Sequence, residues 1–597
     1  MSGSRIALAC CVILSPLWIA TMFGRGLWTP DEPREADISW RMATQPDPAV
    51  PVLAGQPILE KPPLAYWIAG TVTSLAPKHD AALRLPNLVY ACIATFAIVL
   101  LAYAMDGAIA AWIAGIASGS FLLALQVSAW LATDAAMMSG VTLALLGFYR
   151  GLRAPGGRAK LLWYLLMHAG LAWAFMAKGP AAWLVPVLAG AGLIVLERNW
   201  EELRRWELWT GAAVPLIVIG AWLLAVAQRA QGQHELSVML WSNVAGRAFA
   251  LPSDVAYDYS HSHRNWPAKY LVELPIYLLP WTFLFVAALR RATLAVRRAD
   301  GMSWRFAACA LILPLIVLSV AVTARGIYAA PLLPAAALLL GLWAAECGLH
   351  PDPFDRRMIS STFWAVAVVV ILLLGATAFV VSADPAAIPS WPAAAAGAVI
   401  SIVVLAIARQ QRQRFAWFAM LGATFAAFSL AIVTTAMSAF PAIDRWQDLA
   451  TLARTIHHDA GDRPLALYAP DETIVAVVDR TLAAQRPEVL RVQNIEDGRM
   501  LYTRAQTSVL LVLLPGTGDG PVVRRLRSLG INSGTRTDSP AVRELTEQLG
   551  LSVERIYELP QGRRYALLSC HLPATGNAGV CAPRTARAAR PRALMLS

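Results

Sequence analysis

The sequence predicts a polytopic α-helical membrane protein with a small mixed α/β domain at its C-terminal end, and three observations carry this. Of its 597 residues 57% are hydrophobic and only 15% are charged, with a mean hydropathy of +0.53; soluble domains carry roughly 25% charged residues. Apolar runs long enough to cross a bilayer recur from the first residues to about residue 437. Beyond about Pro441 the composition changes to short alternating strands and amphipathic helices. The formal charge of +12 would suggest nucleic acid in a soluble protein, but in a membrane protein an excess of Lys and Arg is explained by cytoplasmic loops. No nucleic-acid partner is therefore expected, and membrane lipids are. The seven cysteines lack metal-ligand spacing, and only Cys570 and Cys581, in the polar C-terminal part, are placed for a disulfide.

Taken in order, the run from Ile6 to about Phe23 is long enough to remain as a first span rather than a cleaved leader. Further spans are read at 86–105, 107–125, 131–149, 161–177, 180–196, 208–228, 271–289, 306–323, 327–346, 359–381, 391–408 and 415–437, which makes about thirteen. With the N-terminus inside, the connections 150–160, 197–207, 290–305, 347–358 and 409–414 are cytoplasmic. They are rich in cations, among them Arg150, Lys160, Arg204, Arg205, Arg290, Arg291, Arg356, Arg357 and Arg412, whereas 126–130 and 382–390 hold none. Everything after about Phe440 then lies outside, which in a bacterium is the periplasmic side of the inner membrane. The resulting division is a transmembrane domain over 1–440 with a functional outer loop at 25–80, a soluble α/β domain over 441–582 and a basic, disordered tail over 583–597.

The stretch from Trp28 to Trp67 is where charge gathers at the outer membrane surface. Glu32 can cap a helix with Pro33 as its first residue, which leaves Asp31 just ahead of the helix N-terminus. Glu60-Lys61-Pro62-Pro63 reads as a stiff extended element before a helix near Leu64. Asp134, Lys178, Arg325 and the loop holding His261, His263 and Arg264 fall on the same outer side. Each alone is explained by a snorkelling or topology-setting charge, since the roughly 2.5–3.5 kcal/mol insertion cost applies only near the bilayer centre. Together they are placed to converge on one cavity.

DEPREADISWRM followed by LAGQPILEKPPLAYW resembles the first outer loop of bacterial aminoarabinose transferases (ArnT-like) and of the wider protein O-mannosyltransferase superfamily. The resemblance continues in LATDAAM, AKGPAAWLVP, HSHRNWPAKYLVELPIYLLPW and RGIYAAPLLPAAALLLG, so it covers nearly the whole membrane part. It implies a GT-C glycosyltransferase fold with a polyprenyl-phosphate sugar as donor, and inverting transfer, most similar to that of 4-amino-4-deoxy-L-arabinose onto lipid A. Transfer to protein or another glycan is the alternative, and lipid-sugar transport without chemistry a more distant one. As the sugar departs, the polyprenyl phosphate gains negative charge, and cations in a partly dehydrated site stabilise it. Lys61, Lys178, Arg264 and Arg34 are the candidates, with Glu60, His263, Arg325 and Tyr328 as further substrate contacts. A carboxylate beside the attacking atom can take a proton, hold an amine-bearing sugar or hold a divalent cation. By resemblance Asp31 comes first in that role, Asp134 second, and Glu32 supports them.

Two other clusters carry less. His457-His458 beside Asp459 closes a helix, where histidine suits the dipole better than a metal. The Gly-rich run from Pro515 to Gly520 lacks a phosphate-binding lysine and reads as a surface turn.

Overall fold

The computed structural model describes residues 1–76, 80–239, 265–266, 268–321, 323–348, 351–414, 416–485, 489–505, 507–515, 524, 539–570 and 593–595. Among them, eleven helices are long and apolar enough to cross a membrane, and one further pair, sharply bent, is so only when its two halves are taken together. One of the eleven, Asp80–Ser120, is broken at Asp106 and Gly107, whose backbone leaves the helical region, so this 41-residue stretch is two helices in series. Sequence reading placed two spans there, which accounts for its higher count. The span expected at 271–289 is not a single rod. Lys269–Tyr277 and Thr282–Ala295 meet at 118°, with Pro275 and Pro280 withholding backbone donors at the bend. The chain is a multi-pass membrane protein.

Between the first two spans, helix Asp31–Thr44 is followed by a two-stranded hairpin, Val52–Leu53 with Gln56–Pro57, and by helix Leu64–Leu75. The first of these starts two residues earlier than expected. Its first residue is Asp31, and Glu32 is no cap: its carboxylate accepts from the Trp28 backbone N–H at 2.8 Å, and Pro33 sits third, where a missing N–H still costs nothing. Helices Asp31–Thr44 and Leu64–Leu75 approach closely because Gly70 has no side chain; a Cβ there would lie 2.4 Å from the Ser39 carbonyl oxygen.

The last span, Trp417–Trp446, runs past residue 440 into the soluble part. Among the described residues that part holds a six-stranded sheet in the order Leu490–Val492, Leu465–Tyr468, Val509–Leu514, Arg564–Cys570, Leu551–Glu558, Ala593–Met595. The first three strands are parallel, and Arg564–Cys570 is antiparallel to both its neighbours. The period-2 alternation of strands decides the layers: Leu465, Leu467, Val509 and Leu511 pack under helices Leu449–Ala460 and Glu472–Leu482, while Ala466, Tyr468, Leu510 and Val512 face helix Pro540–Leu549. Helix Glu472–Leu482 docks on the outer loop of the membrane part, and Arg491 donates to the Ala54 carbonyl beside it. Ala476 joins Ile38, Met42, Leu53 and Tyr66 in one buried cluster, so the soluble domain and the charged outer loop lie on one side of the membrane. Cys570 is disulfide-bonded; Cys581 lies outside the described residues.

Candidate active site

The site begins with two helices that lie unusually close. Asp134–Arg153 and Arg158–Lys178 meet along Gly140, Gly147 and Gly170; a Cβ on Gly140 would come within 2.8 Å of the Gly170 carbonyl oxygen. Small residues let membrane helices touch backbone to backbone. This contact fixes the ends: Asp134 opens one helix, Lys178 closes the other, and their side chains form an ion pair. A carboxylate at a helix N-terminus and an ammonium at a C-terminus each suit the local dipole. The Lys178 ammonium also lies 5.5 Å from the centroid of the Tyr328 ring.

The second group comes from the outer loop. Lys61 Nζ donates to Glu35 Oε1 at 2.7 Å, and Arg34 Nη2 reaches the same oxygen at 3.1 Å. Arg34 also pairs with Glu60 at 3.6 Å and with Glu472 of the soluble domain at 2.8 Å. Burial acts to raise the Glu35 pKa, but Lys61 and Arg34 outweigh it and take the carboxyl from 4.5 down to about 2. The hairpin that leads into Glu60 and Lys61 is held from helix Asp31–Thr44. Ala54 and Gly55 turn it with positive φ, and the Ala54 N–H donates to Asp37 Oδ2 at 2.7 Å. Asp37 is buried, and desolvation pushes its carboxyl up to about 7 against the opposing pull of the Ala54 N–H and Arg41.

Asp31 and Arg325 supply the third pair, at 3.5 Å. All three pairs line a single cavity of ≈ 820 Å³, together with Arg34, Glu60, Gln126, Trp130, Tyr277 and Tyr328. Its other walls are apolar, from Leu184, Val185, Phe175, Trp222, Val317 and Leu318. Such a space suits a ligand with an anionic head, a polar cyclic group and a hydrocarbon tail.

Of the sequence candidates, the structure brings Asp31, Arg34, Glu60, Lys61, Asp134, Lys178, Arg325 and Tyr328 together around this cavity. Glu32 is a correction. It is 0% exposed, absent from the cavity wall, and accepts from Arg25 at 2.5 and 3.0 Å, from Arg84 at 2.8 and 2.9 Å and from the Trp28 and Leu131 backbone N–H groups. A carboxylate with about four lone-pair sites already filled has nothing to offer a substrate; Glu32 ties the outer loop to the second span. Arg34 faces three carboxylates and is engaged in holding them rather than open to a phosphate. His263 and Arg264 lie outside the described residues, as do 516–520 of the Gly-rich run. His458 is in the last turn of its helix, as expected for a cap, and among the described residues no three His, Cys, Asp or Glu side chains are grouped to hold a metal ion.

Sequence reading gave no role to Glu35, Arg25, Arg84 or Glu472. Arg84 did leave a signal, an arginine at the start of an apolar run, where it is now 0% exposed against Glu32. Glu472 left none, because its partner is 438 residues away.

With this geometry in hand, comparison with known proteins is informative. The family model described as dolichyl-phosphate-mannose-protein mannosyltransferase matches residues 60–246. A Pseudomonas aeruginosa protein named undecaprenyl phosphate-alpha-4-amino-4-deoxy-L-arabinose arabinosyl transferase is 30% identical over 329 residues, 54% of this chain and 57% of the relative. A Yersinia enterocolitica protein of the same name is 26% identical over 389 residues, 63% of this chain and 66% of the relative. The chain thus spans less than two thirds of the length of these relatives. Among solved structures, ArnT from Cupriavidus metallidurans bound to undecaprenyl phosphate superposes with a TM-score of 0.70 at 18% identity, covering 98% of this chain and 100% of that one. Its apo state gives 0.68 over 94% and 97%. The fold is the ArnT-like GT-C fold that the outer-loop motifs imply.

Proposed function

We propose that the chain is a glycosyltransferase of the bacterial inner membrane, with its soluble domain in the periplasm, that transfers 4-amino-4-deoxy-L-arabinose from undecaprenyl phosphate to lipid A. The observation that carries this reading is the meeting of Lys61–Glu35, Lys178–Asp134 and Arg325–Asp31 around one cavity with apolar walls. The names of the relatives, and the lipid in the similar solved structure, support the donor.

In this reading the lipid tail lies along the apolar wall and its phosphate draws Lys61 and Lys178 away from their carboxylates. The bond between the anomeric carbon and the phosphate oxygen breaks, and its electron pair leaves with the phosphate. An acceptor oxygen forms the new bond from the opposite face of the ring, which inverts the centre. A hydroxyl acceptor would pass its proton to Asp31; an anionic phosphate acceptor has none to lose, and Asp31 then orients it. Carboxylates released by the lysines then face the ammonium group of the sugar in this reading. The cations stabilise charge that grows only as the bond breaks, which is the form of binding that accelerates a reaction.

A second reading, transfer to a protein hydroxyl, is favoured by one observation, the family model matched at residues 60–246. One experiment separates them: the purified chain is given the undecaprenyl phosphate sugar with lipid A or with unfolded periplasmic protein, and the products are read by mass spectrometry. Mass gain on lipid A, lost in Asp31→Asn, supports the first reading; gain on protein supports the second. No transfer to either, with movement of the lipid across vesicles, would sink both.

A further inference from the structure

We infer that Glu472, in the soluble domain, is a positioning residue for the cavity lysine Lys61 and acts through Arg34. The inference rests on the reading above in one respect only, that Lys61 meets the donor phosphate.

Helix Glu472–Leu482 lies against helix Asp31–Thr44, with its ends held differently. At one end Asp479 pairs with Arg41 and Arg480 with Asp80, and none of these four lines the cavity. At the other, the Thr473 hydroxyl donates to the Pro30 carbonyl at 3.0 Å, and Glu472, the first residue of its helix, accepts from Arg34 Nη1 at 2.8 Å. Arg34 turns its other nitrogen inward, where Nη2 lies 3.1 Å from Glu35 Oε1 and 3.6 Å from Glu60 Oε2. Glu35 Oε1 is the atom that accepts from Lys61 Nζ at 2.7 Å. Contact therefore runs without a gap from the soluble domain to the cavity lysine.

The chemistry of the group makes the outer carboxylate matter. Two cations, Arg34 and Lys61, share one oxygen of a fully buried carboxylate, and a planar guanidinium holds its direction only when both edges are engaged. Glu472 engages the outer edge. Neutralising it leaves Arg34 free to turn, and Glu35, whose one oxygen Arg34 and Lys61 share, no longer holds the Lys61 ammonium in one direction, so the lysine must be ordered when the donor phosphate binds. An ion pair that merely glues the soluble domain down would have none of these effects, and Arg480–Asp80 on the same helix is such a pair.

The test compares Glu472→Gln, Glu472→Asp and Arg480→Gln in the full chain in detergent. It uses binding of undecaprenyl phosphate, donor KM and kcat, and hydrogen exchange of the backbone amides in 58–61. Glu472→Gln is expected to weaken lipid binding and raise donor KM by about fivefold to tenfold, the loss of one charge-assisted hydrogen bond, with faster exchange over 58–61. Arg480→Gln should match wild type in all three. Glu472→Asp, which keeps the charge but shortens the reach, should fall between, and it carries the comparison should the glutamine variant fail to fold. Equal behaviour of Glu472→Gln and Arg480→Gln, or in the fallback an aspartate variant with wild-type exchange and binding, overturns the inference. Failure of the wild-type chain to bind the lipid would instead refute the functional reading, while exchange over 58–61 still decides whether Glu472 holds the loop.

Discussion

Asp134 and Lys178 face each other across the ends of two helices whose glycines let the backbones touch, so a pair set 44 residues apart in the chain is fixed by packing rather than by loop closure. If Lys178 serves the departing phosphate, Lys178→Gln should lower kcat/KM by roughly 10²-fold, the usual effect of losing one electrostatic group. Asp134→Asn combined with it should cost less than the two single losses together, since each acts on the other. A double-mutant cycle on sugar transfer checks this; strict additivity would argue that the pair has no shared role.

Glu32 should behave as a structural residue although it sits beside Asp31. Glu32→Gln leaves the buried Arg25 and Arg84 without their anion, and breaking a buried pair costs about 3–5 kcal/mol. The expected result is a lower unfolding temperature in detergent, with the surviving folded protein keeping its donor KM. A variant of wild-type stability with lost turnover would return Glu32 to the catalytic group.

Gly70→Ala should force helix Leu64–Leu75 off helix Asp31–Thr44, because the new Cβ meets the Ser39 carbonyl oxygen. Overpacking of this kind costs about 1–3 kcal/mol, and it should show as reduced yield and melting temperature. Gly220→Ala is the control: nothing lies within 4 Å of its added carbon, and in a helix interior the change should be neutral or stabilising by up to about 1 kcal/mol.

Two carboxyls in the outer loop predict opposite pH dependences. Asp37 is raised from 3.8 to about 7, so between those values the folded chain holds a proton that the unfolded chain has released. Its stabilisation is full below the lower value and is lost as the pH rises toward the upper one. Glu35, lowered from 4.5 to about 2, contributes stability that is present above 4.5 and lost as the pH falls toward 2. Unfolding midpoints measured between about pH 5 and 8 should therefore decline for wild type, and Asp37→Asn, which still accepts from Ala54, should flatten the decline. An unchanged slope in the variant would show that Asp37 is not the titrating group.

The membrane part was legible because bilayer thickness imposes a length on each apolar run, and the outer-loop cavity was legible because DEPRE and EKPP put charges where only a surface or a site can hold them. What stayed hidden has one physical cause, partners distant in sequence. Nothing near Glu32 announces Arg84, and nothing near Arg34 announces Glu472. The same distance made Glu32 look catalytic, since a carboxylate reads as available until its donors are seen. The bend before Thr282 was hidden for a different reason. Its apolar run is continuous, and hydropathy has no term for direction.

The neutral pairing of the cavity has a consequence for how a ligand would arrive. Among the described residues its wall holds four anions, Asp31, Glu35, Glu60 and Asp134, and four cations, Arg34, Lys61, Lys178 and Arg325. Such a wall casts little field beyond a Debye length, about 8 Å at physiological ionic strength. An anionic head group would be captured by diffusion within the bilayer and sorted only on contact. Its rate of capture should therefore vary little with added salt.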